Sequence, residues 1–169
     1  MKYLPILLLA PALALAQGKP SDPQIAHIVV TANQIDIDAG KLAKSKSKTK
    51  DVQAFAQQMI TDHGAVNKQA GALAKKLGVK PEDNDTSKSL KKGASENTAN
   101  LKKLSGAAFD KAYVDHEVAY HQAVLDAIDK VLVPSAQNPE LKDLIVKVRP
   151  AIAAHLDHAK HLQASLGKK

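Results

Sequence analysis

Four stretches of this chain carry apolar residues every three or four positions, and each places an acid or a histidine in or beside that register. Such a period marks one face of an α-helix. Four long faces of this kind bury themselves only against one another, which makes the expected fold an all-α four-helix bundle. The first stripe is Ile25, Ile28, Val29, Ala32, Ile35, Ala39, Leu42 and Ala43, with Asp36 at its edge. The second is Val52, Ala56, Met59, His63, Val66, Ala70, Leu73 and Leu77. The third is Val114, Val118, His121, Leu125, Ile128 and Leu132. The fourth is Leu141, Leu144, Val148, Ile152, His155, Ala159, Leu162 and Leu166.

Punctuation residues place the ends. Ser21, Asp22, Pro23 and Gln24 read as a cap, a first-turn proline and a capping-box partner, opening a helix that runs to about Lys44. The polar run Ser45 to Lys50 is a turn in which Ser47 or Thr49 can cap the second helix, Lys50 to Leu77. Gly78 closes that helix, with Pro81 just beyond. The third long helix is expected over Ala107 to Leu132, stopped by Pro134. The fourth starts at Asn138-Pro139-Glu140 and ends at Gly167, with a bend expected at Pro150, one turn before His155. Between the second and third lies a long connection. It opens with a loop at Pro81 to Asp85 and carries a shorter helix over Ser87 to Leu104, weakened by Gly93, Asn97 and Asn100. Two short turns and one long connection predict two hairpins joined by a crossover, the ferritin-like variant of the bundle; an up-down-up-down order is the alternative.

The first residues read as a signal peptide. Lys2 supplies the positive start, Leu4 to Leu13 an apolar run too short to span a membrane, and Ala14-Leu15-Ala16 the small residues of a cleavage site. Cleavage before Gln17 leaves an exported, periplasmic chain without stable membrane insertion. The expected division is therefore a signal at 1–16, a polar leader at 17–23 and a single helical-bundle domain at 24–167. The sequence of 169 residues holds no cysteine, which excludes disulfides and thiolate chemistry.

The formal charge is +7, and the excess is lysine; Arg149 is the one arginine. Nucleic-acid readers use arginine forks and stacking aromatics, and this chain has no Trp, two Phe and three Tyr, so nucleic acid is excluded as a partner. Scattered lysine is a solvated helix surface, able to attract an anionic envelope surface weakly. No feature sets the oligomeric state.

Asp36, His63, His121 and His155 come one from each long helix. Measured from the end near the first turn, their levels spread over about 7 Å at the helical rise per residue. One carboxylate and three imidazoles make a ligand set for a divalent transition metal such as zinc, iron, nickel or copper. Glu117, four residues before His121 on the same face, is a secondary candidate. The competing reading is a structural core cluster in which these groups satisfy one another. His158 and His161 continue the three-residue spacing from His155 and could pair at the surface; His27 and His116 read as surface or boundary residues. No phosphate loop, nucleophile elbow or H-E-x-x-H motif occurs, and His116-Glu117 before His121 has the wrong spacing for a metalloprotease. The two E-x-x-H pairs of a di-iron bundle are also missing. No catalytic residue is assigned.

Ile35 to Ala43 (IDIDAGKLA), Phe55 to His63 (FAQQMITDH), Phe109 to Tyr113 (FDKAY) with His121, and Arg149 to His155 (RPAIAAH) together resemble an exported bacterial family described as domain of unknown function 4142. The resemblance covers about Gln24 to Leu166 and is most specific at Asp62-His63 and at the proline five residues before His155. It implies a ferritin-like bundle in which Asp36, His63, His121 and His155 are the polar positions of the four helices. The family more often has glutamate at the position of Asp36. The resemblance implies fold and compartment but no reaction. Three functions stay open: an exported bundle holding a transition metal, a metal-dependent enzyme of oxidative or metal stress, and a non-catalytic envelope interaction module.

Overall fold

Ser21 opens the first helix of the computed structural model, which describes residues 18–168; the expected signal segment lies outside them. The Ser21 hydroxyl accepts from the Gln24 backbone N–H and Gln24 reaches back to the Ser21 N–H, the expected capping box. Helix α1 (Asp22–Lys46) ends two residues beyond the expected Lys44. Helix α2 (Lys50–Leu77) has the expected bounds, and Gly78 closes it at φ 65°, a left-handed conformation that glycine adopts without a Cβ clash. Thr49 stands at the cap position of α2 but does not cap. Its hydroxyl instead donates to buried Asp110 at the start of the third long helix, while Ser47 Oγ accepts from the Thr49 N–H.

The long connection carries α3 (Asp85–Lys102). It starts two residues before the expected Ser87 because Asn84 and Ser87 form a reciprocal box around the first turn, a cap hidden inside what reads as a loop. At the far end, Lys46 Nζ donates to the carbonyl of Lys102 at 2.8 Å and tethers α3 to the end of α1.

Helix α4 (Gly106–Ala127) passes into a π-helical segment (Ile128–Leu132) and a last α-turn, α5 (Val133–Ser135). Pro134 therefore does not stop the helix at Leu132. Proline has no N–H for the Lys130 carbonyl and its ring crowds the preceding turn. The backbone widens there, with the Val133 N–H reaching the Ile128 carbonyl five residues back, and the chain continues for one more turn. Helix α6 (Pro139–Leu166) is capped by Asn138 Oδ1, which accepts from the N–H groups of Glu140 and Leu141, and runs unbroken through Pro150.

Two core clusters fix the helix directions. One gathers Ile25 and Ile28 with Tyr120, Ile128, Leu132, Leu141, Ile145 and Ile152. The other gathers Ala39, Ala43, Val52, Phe55 and Met59 with Phe109, Tyr113, Ala159 and Leu162. Helices α2 and α4 run from the second cluster toward the first, and α1 and α6 run the opposite way. The order is up-down-down-up: an α1–α2 hairpin and an α4–α6 hairpin, with the 78–105 connection crossing the length of the bundle between them. This agrees with the crossover expected from the sequence, and no strand occurs among the described residues. Gly40 sets the spacing of the first hairpin: a Cβ there would lie 2.9 Å from the Ala56 carbonyl oxygen, so α1 and α2 meet backbone to backbone one turn from Asp36. No helix among the described residues is long and apolar enough to cross a membrane.

Candidate metal centre

Between the two core clusters lies a layer of polar side chains. Asp36 comes from α1, His63 from α2, Glu117 and His121 from α4, and His155 from α6. All are buried, none more than 3% exposed. The histidines are there because they occupy positions of the apolar stripes, so helix packing turns them inward with their neighbours. Asp36, expected at the edge of its stripe, is inside it. Glu117, the secondary candidate, is also inside: it is 0% exposed, one helical turn before His121 on the same face.

The three imidazoles face one another, with ring centroids 5.2 Å apart for His63 and His155, 5.5 Å for His121 and His155, and 5.7 Å for His63 and His121. One ring nitrogen from each lies within 4.8 Å of the others, and a second such group joins Asp36, Glu117 and His121. His63 Nε2 stands 3.4 Å from Asp36 Oδ2.

Each imidazole commits one nitrogen and leaves the other bare. His63 Nδ1 pairs with Asn33 Oδ1 at 2.7 Å, His121 Nδ1 with the Glu117 carbonyl at 2.9 Å, and His155 Nε2 with Asp62 Oδ2 at 2.9 Å. An oxygen acceptor on a neutral ring fixes the tautomer, placing the proton on the committed nitrogen and the lone pair on the other. The remaining atoms, His63 Nε2, His121 Nε2 and His155 Nδ1, are buried without a hydrogen-bond partner, as are both carboxyl oxygens of Glu117. Buried polar atoms left bare in this number are uncommon, since each forfeits its hydration.

Burial also decides the charges. It is the main cause holding His63 down to about 3 and His121 down to about 4, with the neighbouring histidines adding to both. It pushes Glu117 up to about 8, against the opposing influence of the neighbouring Asp36 and Tyr113 side chains. Asp36 rises well above the ordinary carboxyl range through burial first and the Glu117 charge second. Without a cation, low polarisability around the layer favours neutral His63 and His121 rings and protonated acids. A divalent cation would reverse the preference of the carboxyls and use the bare lone pairs of the rings.

The remaining histidines lie elsewhere. His155, His158 and His161 do not act together: His158 is exposed, pairs with Gln58 at 3.0 Å and sits edge-on to Phe55, and His161 bonds its own helix at the Asp157 carbonyl. His116 stacks on Tyr120, and burial holds it down to about 4. His27 is half-buried, 3.5 Å from Asp83. Sequence reasoning missed Asn33. The only available signal was its place three residues before Asp36, on the same helical face.

The family described as Domain of unknown function (DUF4142) matches residues 8–162. Comparison with curated proteins and with solved structures finds no match.

Proposed function

Since the chain belongs to the DUF4142 family, whose description assigns no activity, we propose from its own residues that it binds a divalent transition metal through His63, His121 and His155, with Asp36 and Glu117 completing the shell. One observation carries this reading: each of the three histidines has one ring nitrogen engaged by an oxygen acceptor and the other bare and buried. Metal-ligating histidines have that arrangement, because the second hydrogen bond orients the ring and raises its basicity. A purely structural cluster would pair the bare atoms with one another or with the backbone. Three imidazoles with carboxylate oxygens suit zinc, iron, nickel or copper over magnesium or calcium. The up-down-down-up order supports a ferritin-like relationship of the helices, and the signal segment expected at 1–16 supports a periplasmic location. The role is metal holding without catalysis.

Elemental analysis of the protein purified without a histidine tag tests the reading. A stoichiometric transition metal that is lost in His63→Ala and in His155→Gln, with helical content kept, is the expected result. Metal-free protein that fails to take up added zinc, copper or nickel, with both variants merely less stable, would leave the histidines as core residues only.

A further inference from the structure

Tyr113 stands one helical turn before Glu117 on α4 and is 0% exposed. Its ring is held by aromatic packing: it lies parallel to Phe109 at 6.3 Å between centroids and edge-on to Phe55 at 6.2 Å. Residues four apart share a helix face, so the Tyr113 side chain and the Glu117 carboxyl are neighbours. Burial pushes the phenol well above its ordinary range, and the Glu117 and Asp36 charges push it further, in that order. Near neutral pH the group is therefore an O–H, able to donate.

That donor is unused. Tyr113 Oη is buried without a hydrogen-bond partner, and so are both carboxyl oxygens of Glu117. Tyr120, also buried, shows the ordinary state, its hydroxyl donating to the Ala32 carbonyl at 3.2 Å. Asp110, one turn to the other side of Tyr113, already accepts from the Thr49 hydroxyl. An ionised Glu117 has two oxygens to satisfy; a cation takes one and leaves the other for a donor. A hydrogen bond to an ionised carboxylate is also about twice as strong as one between neutral groups.

We infer that Tyr113 is a positioning residue of the metal centre: its hydroxyl donates to the Glu117 oxygen turned away from the cation and so holds the other oxygen toward the three histidines. The inference rests on the metal-binding reading and adds to it a residue outside the ligand shell. Asn33 stands in that relation to His63, and Asp62 to His155. Ligating carboxylates are held by hydrogen bonds as ligating histidines are.

Cobalt(II) titration of the chelator-treated protein, followed by visible absorption and by competition with a chelating dye, tests this in the wild type and in Tyr113→Phe. Phenylalanine keeps the ring packing and removes only the donor. Cobalt affinity is expected to fall by about 10–100-fold, with a changed absorption band. The metal-free variant is expected to melt no lower than the wild type, because a bare buried hydroxyl has been removed. In a Glu117→Gln background the same substitution is expected to cost little more, since it acts through Glu117. If Tyr113→Phe does not fold, Tyr113→Met, which also lacks the hydroxyl, decides. A wild type that takes up no cobalt would overturn the metal-binding reading and this inference together. Cobalt uptake by the wild type with unchanged affinity and band in the variant would overturn this inference alone, as would an equal loss in the Glu117→Gln background or a lower metal-free melting temperature.

Discussion

Asp62, on the outer side of α2, holds the Nε2 of buried His155 at 2.9 Å, so a carboxylate 42% exposed fixes a ring that is almost wholly inside. That bond leaves His155 Nδ1 buried without a partner in a ring packed against His63 and His121. Replacing Asp62 with Ala removes the orienting acceptor and lets water reach the ring edge. The expected outcome is a loss of roughly 10–100-fold in metal affinity with little loss of helical content, as for other residues that orient ligating histidines. Competition with a chelating dye measures it, and unchanged affinity would show that packing alone orients His155.

The metal-free protein should have a stability plateau in mildly acidic solution. His63 and His121 are depressed from 6.5 to about 3 and about 4, so their contribution is complete above 6.5 and is lost as pH falls. Glu117 is raised from 4.5 to about 8, so its contribution is complete below 4.5 and is lost as pH rises; Asp36 acts in the same direction. Between 4.5 and 6.5 the two trends oppose. Outside that window each uncompensated group costs about 1.4 kcal/mol per pH unit. Urea midpoints in the presence of a chelator should therefore fall on both sides of the plateau. Added metal should remove the alkaline fall, because the cation takes the place of the carboxyl protons.

Gly40→Ala should destabilise the protein by about 1–3 kcal/mol, the range for overpacking a tight contact. The added methyl would meet the Ala56 carbonyl at 2.9 Å, and the two backbones must part. The Asp36 side of the metal centre shifts with them. Denaturant unfolding and metal affinity should both weaken in this variant, whereas Gly71→Ala, at an open helical position, should be neutral or stabilising because alanine is the better helix former.

Asp22 ties the start of α1 to the start of α6: its carboxylate accepts from the backbone N–H groups of Gln137 and Asn138, both at 2.9 Å. Asp22→Ala leaves two donors beside the start of α6 without their acceptor, at a cost of about 1–3 kcal/mol. Hydrogen exchange at Gln137 and Asn138 should quicken in that variant before global unfolding does.

The long helices and the inward histidines were legible because both rest on periodicity. Lys50 to Leu77 came out with its bounds correct since Gly78 and Pro81 mark the end unambiguously. His63, His121 and His155 stand among leucines, valines and alanines in phase, and packing leaves them nowhere else to go. The π segment was not legible: Pro134 signals a helix stop, and whether the backbone halts or widens depends on what the next turn buries. Asn84 was read as loop because its capping partner is Ser87, a weaker mark than an acid or glutamine. Glu117 was ranked below Asp36 because a stripe gives the side of a helix but not its tilt, and tilt determines which acid reaches the rings. Asn33 carried no charge or ring to draw notice, although it holds His63.

The five candidate ligands are divided between the hairpins, Asp36 and His63 on one and Glu117, His121 and His155 on the other. Both ligand triads take members from each side of the crossover. Neither half of the chain can close a coordination shell alone, so an ion seated there is a clasp fastened only when the whole molecule has come together. Capture of the ion thereby becomes a readout of completed assembly, and its withdrawal would loosen the seam between the halves before it loosened either half within itself.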